Sequence, residues 1–255
     1  MLINVTLPVH NEEAQLAASV RKVVEALRTA GLPRHRGAED VTWEVVVAEN
    51  GSSDATEEIG ETVVKEFAHE GAVKVLLRHR SQPGRGGALK EAWCRSEGEI
   101  LSYMDVDLST DLASVPSLLA PLLADEADLV IGSRLSVGAK TQRSWKREVL
   151  SRGYNVLLHG VLRLPVRDAQ CGFKAISRAA ATQLLPQVED EGWFFDTELL
   201  WRAHRAGLRI VEIPVRWVED RDTRVRLLWT IWRDLCGMWR LWREGWGRRG
   251  PGEEV

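Results

Sequence analysis

Short apolar runs that alternate with helical patterns are the feature that most constrains the fold of this chain. The runs that read as buried strands span residues 2–7, 43–48, 73–77, 100–104 and 129–131. A helix is expected from about Asn11, whose side chain can cap it, and a second helix is expected near Asp54. Alternation of this kind predicts an α/β fold, with a mostly parallel sheet flanked by helices.

Length and composition fit one folded domain with a full core. The 255 residues are 44% hydrophobic and 28% charged, and the net charge of -3 gives no sign of nucleic-acid binding. Cys94, Cys171 and Cys236 stand far apart without the spacing of a zinc site or a disulfide framework. These observations favour a reduced, cytoplasmic setting and no nucleic-acid partner.

The hydrophobic pattern predicts neither a signal peptide nor a membrane span. The chain begins directly with a strand-like run, and it lacks the basic start and long apolar core of a signal peptide. No segment reaches the roughly 18 consecutive apolar residues that a spanning helix needs. We therefore do not expect an integral membrane protein.

Two carboxylates, Asp105 and Asp107, follow the fourth apolar run. Side chains at i and i+2 leave a strand on the same face, and open α/β sheets bind ligands beyond the carboxyl ends of their strands. A divalent ion shared with substrate phosphate oxygens would relieve the repulsion between the two anions. The alternative is that one aspartate caps the next helix and the other is solvated.

Three loops are expected at the same sheet edge as this pair. They are residues 8–13, residues 49–54 and residues 83–88. Gly51 permits a tight turn in the second loop, and Arg85 supplies a cation at a helix start in the third. Neither a Walker A loop nor a Gly-x-Gly-x-x-Gly fingerprint is present. Together with the aspartates, the three loops predict a site for a nucleotide and a metal.

The order of several short motifs narrows the family. In the first half they are Pro8 with Asn11-Glu12-Glu13, Glu49-Asn50-Gly51-Ser52, Gly84-Arg85-Gly86-Gly87-Ala88, Asp105-x-Asp107 and Gly132-Ser133-Arg134. In the second half they are Asp168-Ala169-Gln170-Cys171-Gly172-Phe173-Lys174, Gly192-Trp193-Phe194-Phe195-Asp196-Thr197-Glu198 and Glu212-Ile213-Pro214-Val215-Arg216-Trp217. Over about residues 2–235 the chain resembles GT-A type inverting glycosyltransferases of the dolichyl-phosphate sugar synthase family. The second half is most similar to the dolichyl-phosphate glucose synthase branch.

The resemblance implies a nucleotide-sugar donor, Mg²⁺ or Mn²⁺ as cofactor, and a polyprenyl or dolichyl phosphate as acceptor. It assigns the donor to Pro8, Glu12, Glu49, Asn50, Asp54, Arg85 and Asp105. It assigns the metal to Asp105 and Asp107. Many relatives have Asp-Asp where this chain has Glu49-Asn50, so recognition of uridine or guanosine stays open. The likeness around Gln170 to Phe173 favours UDP-glucose over GDP-mannose.

Basic residues after the fifth strand are the candidates for the acceptor side. The expected acceptor-binding residues are Arg134, Arg143, Arg147, Ser151, Gln170 and Asp196, and the expected catalytic residues are Asp105, Asp107, Arg134 and Arg147. Arg143, Arg147 and Ser151 are spaced to share one helix face. The alternative for that face is a solvated one that Glu148 neutralises. Asp168 and Glu198 are further candidates for sugar hydroxyls or for orienting the arginines, and Asp196 could instead cap a helix.

A stripe of tryptophan and leucine marks the C-terminal segment. Its members are Leu228, Trp232, Leu235, Trp239, Trp242 and Trp246. Spacings of three and four residues place them on one helix face, and arginines fall mainly elsewhere. We expect a catalytic domain over residues 1–222 and an amphipathic helical tail over residues 223–255. The tail would lie in the membrane interface at the inner face of the cell membrane. The alternative is a stripe packed on the catalytic domain or on a partner subunit.

Two other functions remain open on these residues. One is a soluble glycosyltransferase that acts on a small phosphorylated acceptor, such as a glycerate. The other is a module that binds a nucleotide sugar or a lipid without turnover. The intact pair of Asp105 and Asp107 argues against the second.

Overall fold

The computed structural model describes residues 1–32, 41–69, 71–142, 145–218 and 227–247, with the backbone alone for residues 142, 145–150, 227–231 and 246–247. In this part of the chain the strands are β1 (Leu2–Val9), β2 (Thr42–Asn50), β3 (Val73–Arg80), β4 (Ile100–Met104), β5 (Leu129–Ser133), β6 (Lys140–Gln142), β7 (Phe173–Ser177), β8 (Ile210–Pro214) and β9 (Arg216–Val218). The helices are α1 (Leu16–Thr29), α2 (Thr56–Glu66), α3 (Arg85–Arg95), α4 (Val115–Leu123), α5 (Trp145–Leu162), α6 (Arg178–Leu184), α7 (Phe195–Arg205) and α8 (Leu227–Gly247).

Seven strands form the main sheet in the order β3-β2-β1-β4-β7-β5-β8. All neighbours are parallel except β7, which runs antiparallel to both β4 and β5. Val9, Glu49 and His79 stand opposite one another at the carboxyl ends of the first three strands. The predicted α/β class with a mostly parallel sheet is confirmed, and the three loops leave the sheet at one edge.

Burial follows the hydrophobic pattern. β1, β2 and β4 are buried over nearly their whole length, as expected for strands covered on both faces. α1 covers one face with Leu16, Val20, Val23, Val24 and Leu27. Their spacing of three and four residues is that of a core-facing helix stripe. The strand periodicity and the helix periodicity of the sequence therefore predict the same buried core.

The first helix begins later than the sequence predicts. α1 starts at Leu16, and Asn11 has a φ of 57°, which is outside the helical region. The Asn11 side chain accepts a hydrogen bond from the backbone N–H of Ser53 (2.8 Å) instead of capping α1. Asparagine tolerates positive φ better than most residues. The prediction of a cap at Asn11 was therefore wrong, because the side chain ties the first loop to the second.

One face of α8 packs into the body of the protein. Asp234, Met238 and Leu241 are buried, and Gly237 lies so close to Phe194 that an added Cβ would overlap the phenyl ring. Arg240 pairs with the buried Glu198 of α7 (2.7 Å). The helix is therefore held by both apolar and ionic contacts. The proposed boundary at residues 222 and 223 lies outside the described residues and stays a prediction.

Another face of α8 is open. Trp232 and Trp239 are 66% and 59% exposed, and Leu235 is also exposed. Trp239 stacks on Trp242 with ring centroids 5.0 Å apart. Trp232, Leu235 and Trp239 thus lie open on this face, whereas Trp242, another member of the stripe, is partly buried and packs on the core of the catalytic body. No helix among the described residues is long and apolar enough to cross a membrane.

Replacing Leu241 by Ala should test the packing of α8. This side chain is fully buried, so we expect a loss of about 2–5 kcal/mol in the free energy of unfolding. Leu235→Ala, on the exposed face of the same helix, should change it by about 0.5 kcal/mol or less. Urea denaturation measures both. Equal effects of the two substitutions would show that α8 does not pack on the body in solution.

Candidate active site

Hydrogen bonds bring the three loops together at the carboxyl edge of the sheet. Asn11 N–H donates to Ser52 Oγ (3.0 Å), which joins the first loop to the second. Asn50 donates to the Val9 carbonyl (2.6 Å) and accepts from the Gly84 N–H (3.0 Å), which joins all three. Gly51, with a φ of 71°, makes the tight turn that this arrangement needs. The predicted convergence of the loops is present.

The donor-side residues are also held by contacts within the protein. Asp54 accepts hydrogen bonds from the backbone N–H and the hydroxyl of Thr56 at the start of α2. Burial raises the pKa of Asp54, but these bonds and one from Glu13 outweigh it and lower the pKa below its ordinary value. Glu12 accepts from Gln15 (2.7 Å), and Pro8 lies within β1. Their assignment to the nucleotide stays a prediction.

Glu49 is buried at the end of β2 and accepts a hydrogen bond from the Ser52 N–H (2.5 Å). Its second carboxylate oxygen lies 2.6 Å from His79 Nδ1, and Glu57 lies 3.2 Å from the same nitrogen. The possible ligand atoms of these three residues lie within 4.8 Å of one another. Glu49 therefore fixes the turn of the second loop, and together with Glu57 it forms an acidic pair around His79.

Arg85 links the aspartate pair to the buried interior. Its guanidinium donates to Asp105 Oδ1 (2.8 Å) and to Asp196 Oδ2 (2.6 Å). The Tyr103 and Trp193 rings both lie against the cation, with ring centroids 4.8 Å and 5.1 Å from Cζ. Burial lowers the pKa of Arg85, but the surrounding charges, Asp105 first among them, raise it well above its ordinary value. The arginine is therefore a permanent cation at the site.

Asp105 and Asp107 have the chemistry and exposure of a metal site. The Asp105 side chain is 42% exposed, and Asp107 Oδ1 accepts from the Ser109 N–H (2.9 Å). Gly172 lies directly behind Asp105, and an added Cβ would overlap the carboxylate. Two hard oxygen donors at a sheet edge suit Mg²⁺ or Mn²⁺. The residues present therefore fit a divalent cation, and Asp107 does not serve as a helix cap.

A second arginine, Arg134, lies near the aspartate pair. Arg134 forms a two-point ion pair with the fully buried Asp168, at 2.7 Å for each bond, and its guanidinium lies over Trp217. Burial raises the pKa of Asp168, but Arg134 outweighs it and lowers the pKa. The sequence interpretation that Asp168 orients an arginine agrees with this geometry. Burial lowers the pKa of Arg134, but Asp168 and, to a smaller extent, Asp105 raise it above its ordinary value.

The remaining acceptor-side residues are described to different degrees. Arg143 lies outside the described residues, and for Arg147 only the backbone, in α5, is described. Ser151 is in α5, where its carbonyl accepts from Asn155 (2.9 Å). Gln170 donates to Asp234 of α8 (3.1 Å). The role of these residues in acceptor binding stays a prediction.

Asp196 and Glu198 both point into the protein. Asp196 is the second residue of α7, whose N-cap is Phe194, so the alternative of a cap at Asp196 was wrong. Its carboxylate contacts Arg85, Lys174 and Tyr103. Glu198 pairs with Arg202 (2.6 Å) and with Arg240 of α8, away from the aspartate pair. The use of Asp196 for the acceptor stays a prediction.

Sequence reasoning missed several residues that build the site. They are Tyr103, Lys174, Trp193, Trp217 and Asp234. Two of them carried a signal. Tyr103 precedes Asp105 by two residues on the same strand face, and Lys174 is a charged residue inside an apolar run.

Comparison with known proteins identifies the family. Residues 5–185 match the model of glycosyl transferase family 2. Glycosyltransferase AglD of Haloferax volcanii is 40% identical over 92% of this chain, which spans 35% of the length of AglD. Dolichyl-phosphate beta-glucosyltransferase of Drosophila melanogaster is 32% identical over 94% of this chain and 77% of its own length.

Solved structures with the same fold contain the ligands of such a site. Glucosyl-3-phosphoglycerate synthase from Mycobacterium tuberculosis, solved with Mn²⁺, UDP-glucose and phosphoglyceric acid, aligns over 100% of this chain and 83% of its own. The TM-score is 0.68 at 22% identity, which shows a shared GT-A fold. A complex of the same synthase with Mn²⁺, UDP and glucosyl-3-phosphoglycerate gives 0.65 at 23% identity, over 93% and 78% of the two chains. With a family match over most of its length and this fold, the chain belongs to glycosyl transferase family 2 and is a glycosyltransferase enzyme.

Proposed function

We propose that the protein transfers a hexose, with inversion, from a nucleotide sugar to a polyprenyl or dolichyl phosphate, and that the donor is UDP-glucose. The observation that carries this proposal is the aspartate pair, Asp105 and Asp107, with two fixed cations near it. Arg85, in the third nucleotide loop, pairs with Asp105, and Arg134, fixed by Asp168, is close enough to Asp105 for an electrostatic interaction. Such a site suits two negatively charged substrates that must meet at one carbon atom.

The donor assignment rests on the loops and on the relatives. Loops that meet at the ends of parallel strands form a usual site for a nucleotide. Relatives named as dolichyl-phosphate beta-glucosyltransferases favour glucose as the sugar. Uridine is favoured by the similar fold of the synthase solved with UDP and UDP-glucose. Glu49 and Asn50, which differ from the usual Asp-Asp, are where uridine and guanosine specificity would be decided.

The proposed chemistry needs no protein base. The second pKa of a phosphate monoester is about 6, so the acceptor is largely a dianion near neutral pH. One phosphate oxygen forms a bond to the anomeric carbon while the bond from that carbon to the donor diphosphate breaks, and the nucleoside diphosphate leaves with the electron pair. Mg²⁺ or Mn²⁺ held by Asp105 and Asp107 would supply positive charge to that leaving group.

The residues of the chain would then position the two anions. Arg134, fixed by Asp168, is the proposed ligand of the acceptor phosphate, together with Arg147 of α5. A guanidinium held at two points by a carboxylate keeps a defined direction, and its remaining donors can bind phosphate oxygens.

A smaller acceptor is the second candidate. The similar synthase from Mycobacterium tuberculosis was solved with phosphoglyceric acid. A glycerate phosphate offers the same anionic group as a lipid phosphate but has no need of a membrane. The exposed face of α8 favours the lipid acceptor.

An assay with a panel of substrates tests the proposed function. Purified protein with Mn²⁺ receives labelled UDP-glucose or GDP-mannose, and either a short polyprenyl phosphate or 3-phosphoglycerate. We expect label in the lipid product from UDP-glucose alone. Product separation by chromatography measures it. Transfer to 3-phosphoglycerate alone would replace the proposed acceptor, and transfer from GDP-mannose alone would replace the proposed donor.

Asp107→Asn should lower turnover about 10²–10³-fold, because it weakens charge stabilisation where the diphosphate leaves. The fold should persist, since asparagine keeps the size of the side chain. Initial rates across a Mn²⁺ titration measure the effect. The control is Asp125→Asn, at an exposed position with a φ of 53° that asparagine tolerates. Full activity of Asp107→Asn with unchanged metal dependence would remove the metal assignment.

We also propose that α8 lies in the membrane interface and that the protein acts at the inner face of the cell membrane. Trp232 and Trp239 are exposed beside Arg233 and Arg243. Tryptophan prefers the headgroup layer, and each basic residue near an anionic surface adds about 1 kcal/mol of attraction. Helix α5 packs against α8, and its exposed Val156 adds apolar surface. Contacts of these exposed residues with a membrane would bring the active site to the proposed lipid substrate.

The double substitution Trp232→Ser and Trp239→Ser should abolish binding to anionic liposomes and leave UDP binding unchanged. Both side chains are largely exposed, so little core is lost. Cosedimentation measures lipid binding, and calorimetry measures UDP binding. The control is Val137→Ser, which removes an exposed apolar side chain elsewhere. Wild-type liposome binding by the double variant would exclude α8 as the contact.

A further inference from the structure

A lysine, Lys174, is buried against Asp196, one of the two carboxylates that bind Arg85. Lys174, in β7, is 1% exposed. Its ammonium group donates to the Cys171 carbonyl (2.6 Å) and to the Tyr103 hydroxyl (3.0 Å), and it lies 2.9 Å from Asp196 Oδ1. A charge is expensive to bury unless it is paired and hydrogen-bonded. All three donor positions of the ammonium group are used in this way, so its direction is fixed.

Asp196 connects this lysine to Arg85. Its Oδ1 faces Lys174 and accepts from the Tyr103 hydroxyl, and its Oδ2 accepts from Arg85 (2.6 Å). Burial raises the pKa of Asp196, but Lys174 and Arg85 outweigh it and lower the pKa below its ordinary value. Asp196 is therefore an anion between two cations.

Arg85 transmits this arrangement to Asp105. Its Nη1 donates to Asp196 and its Nη2 donates to Asp105, and the Tyr103 and Trp193 rings both lie against the guanidinium. Gly172 limits Asp105 from behind. The Asp105 carboxylate is thus held by a cation at Oδ1, and the missing side chain of Gly172 leaves the space that Oδ2 occupies.

We infer that Lys174 and Asp196 are positioning residues, which act through Arg85 to hold Asp105 in the orientation that binds the metal. The inference rests on the proposed function, because it takes Asp105 as a metal ligand. Residues behind a ligand commonly fix its direction and tune its affinity. Asp196 has its carboxylate turned into this network, which gives it a role other than contact with the acceptor.

Binding of Mn²⁺ in the presence of UDP is the direct test. Asp196→Asn removes the charge that holds the inner edge of Arg85, so the guanidinium is left with Asp105 alone. Lys174→Met leaves Asp196 free to draw Arg85 away from Asp105. We expect each variant to bind Mn²⁺ about tenfold or more weakly. Electron paramagnetic resonance of free Mn²⁺ measures the affinity without turnover.

Arg202→Met is the matched control for loss of a buried ion pair. Arg202 is buried and pairs with Glu198 on the same helix as Asp196, but it faces α8. The substitution Arg202→Met should lower thermal stability and leave the Mn²⁺ affinity at the wild-type value. Wild-type affinity in folded Asp196→Asn and Lys174→Met, or an equal loss in Arg202→Met, overturns the inference.

A third variant decides the question if the buried substitutions prevent folding. Trp193 covers Arg85 from outside and is exposed, so Trp193→Leu should fold. It should weaken Mn²⁺ binding by loosening the guanidinium, and unchanged binding in that case overturns the inference. Because no transfer is measured, failure of the sugar transfer assay would leave the metal titrations interpretable.

Discussion

The ion pair of Arg85 with Asp105 and Asp196 is the interaction on which the site depends. It joins the start of α3, the end of β4 and the start of α7 through one planar cation. A buried charge network is stable only when every member is paired, and that requirement brings in Lys174 and the Tyr103 hydroxyl. Burial, followed by Asp196, raises the pKa of Tyr103 well above its ordinary value, so the phenol stays a donor. The packing of four chain segments thus follows from the need to neutralise one guanidinium.

Arg134, the second arginine, is also neutralised by a carboxylate, but its partner is closed to solvent. Arg134 donates two hydrogen bonds to the carboxylate of Asp168, and the backbone N–H of Asp168 donates to Glu212 (3.1 Å). Asp168 is fully buried, whereas Asp105 is open to solvent on one side. The carboxylate behind Arg134 therefore orients a cation, and the carboxylate beside Arg85 remains accessible to a ligand. Two similar pairs give one fixed cation and one exposed anion, which suits the proposed transfer of a sugar between two phosphate groups.

Periodicity was enough to predict the strands, the parallel sheet and the meeting of the three loops, because parallel strands place their carboxyl ends together. It could not predict the antiparallel insertion of β7 between β4 and β5, which depends on long-range pairing. It also placed the start of α1 too early, since a positive φ at Asn11 reflects a contact with Ser53 that is distant in sequence. The burial of Lys174 could not be predicted either, because it depends on Tyr103 and Asp196, two partners that are distant in sequence. For α8, the large tryptophans suggested one stripe, whereas the face that packs uses Gly237, Met238 and Leu241.

The two faces of α8 have a consequence for any contact with a membrane. Asp234 on its inner side accepts from Gln170, two residues before the glycine that backs Asp105. Burial raises the pKa of Asp234 to about 6. Two ion pairs tie α8 to α7, because Arg240 and Glu244 of α8 pair with Glu198 and Arg202 of α7, respectively. A helix fixed in this way cannot swing as an independent tail. If its outer tryptophans enter a lipid surface, the catalytic body must take a set orientation on that surface, because the ionic contacts and the core packing allow α8 no separate rotation.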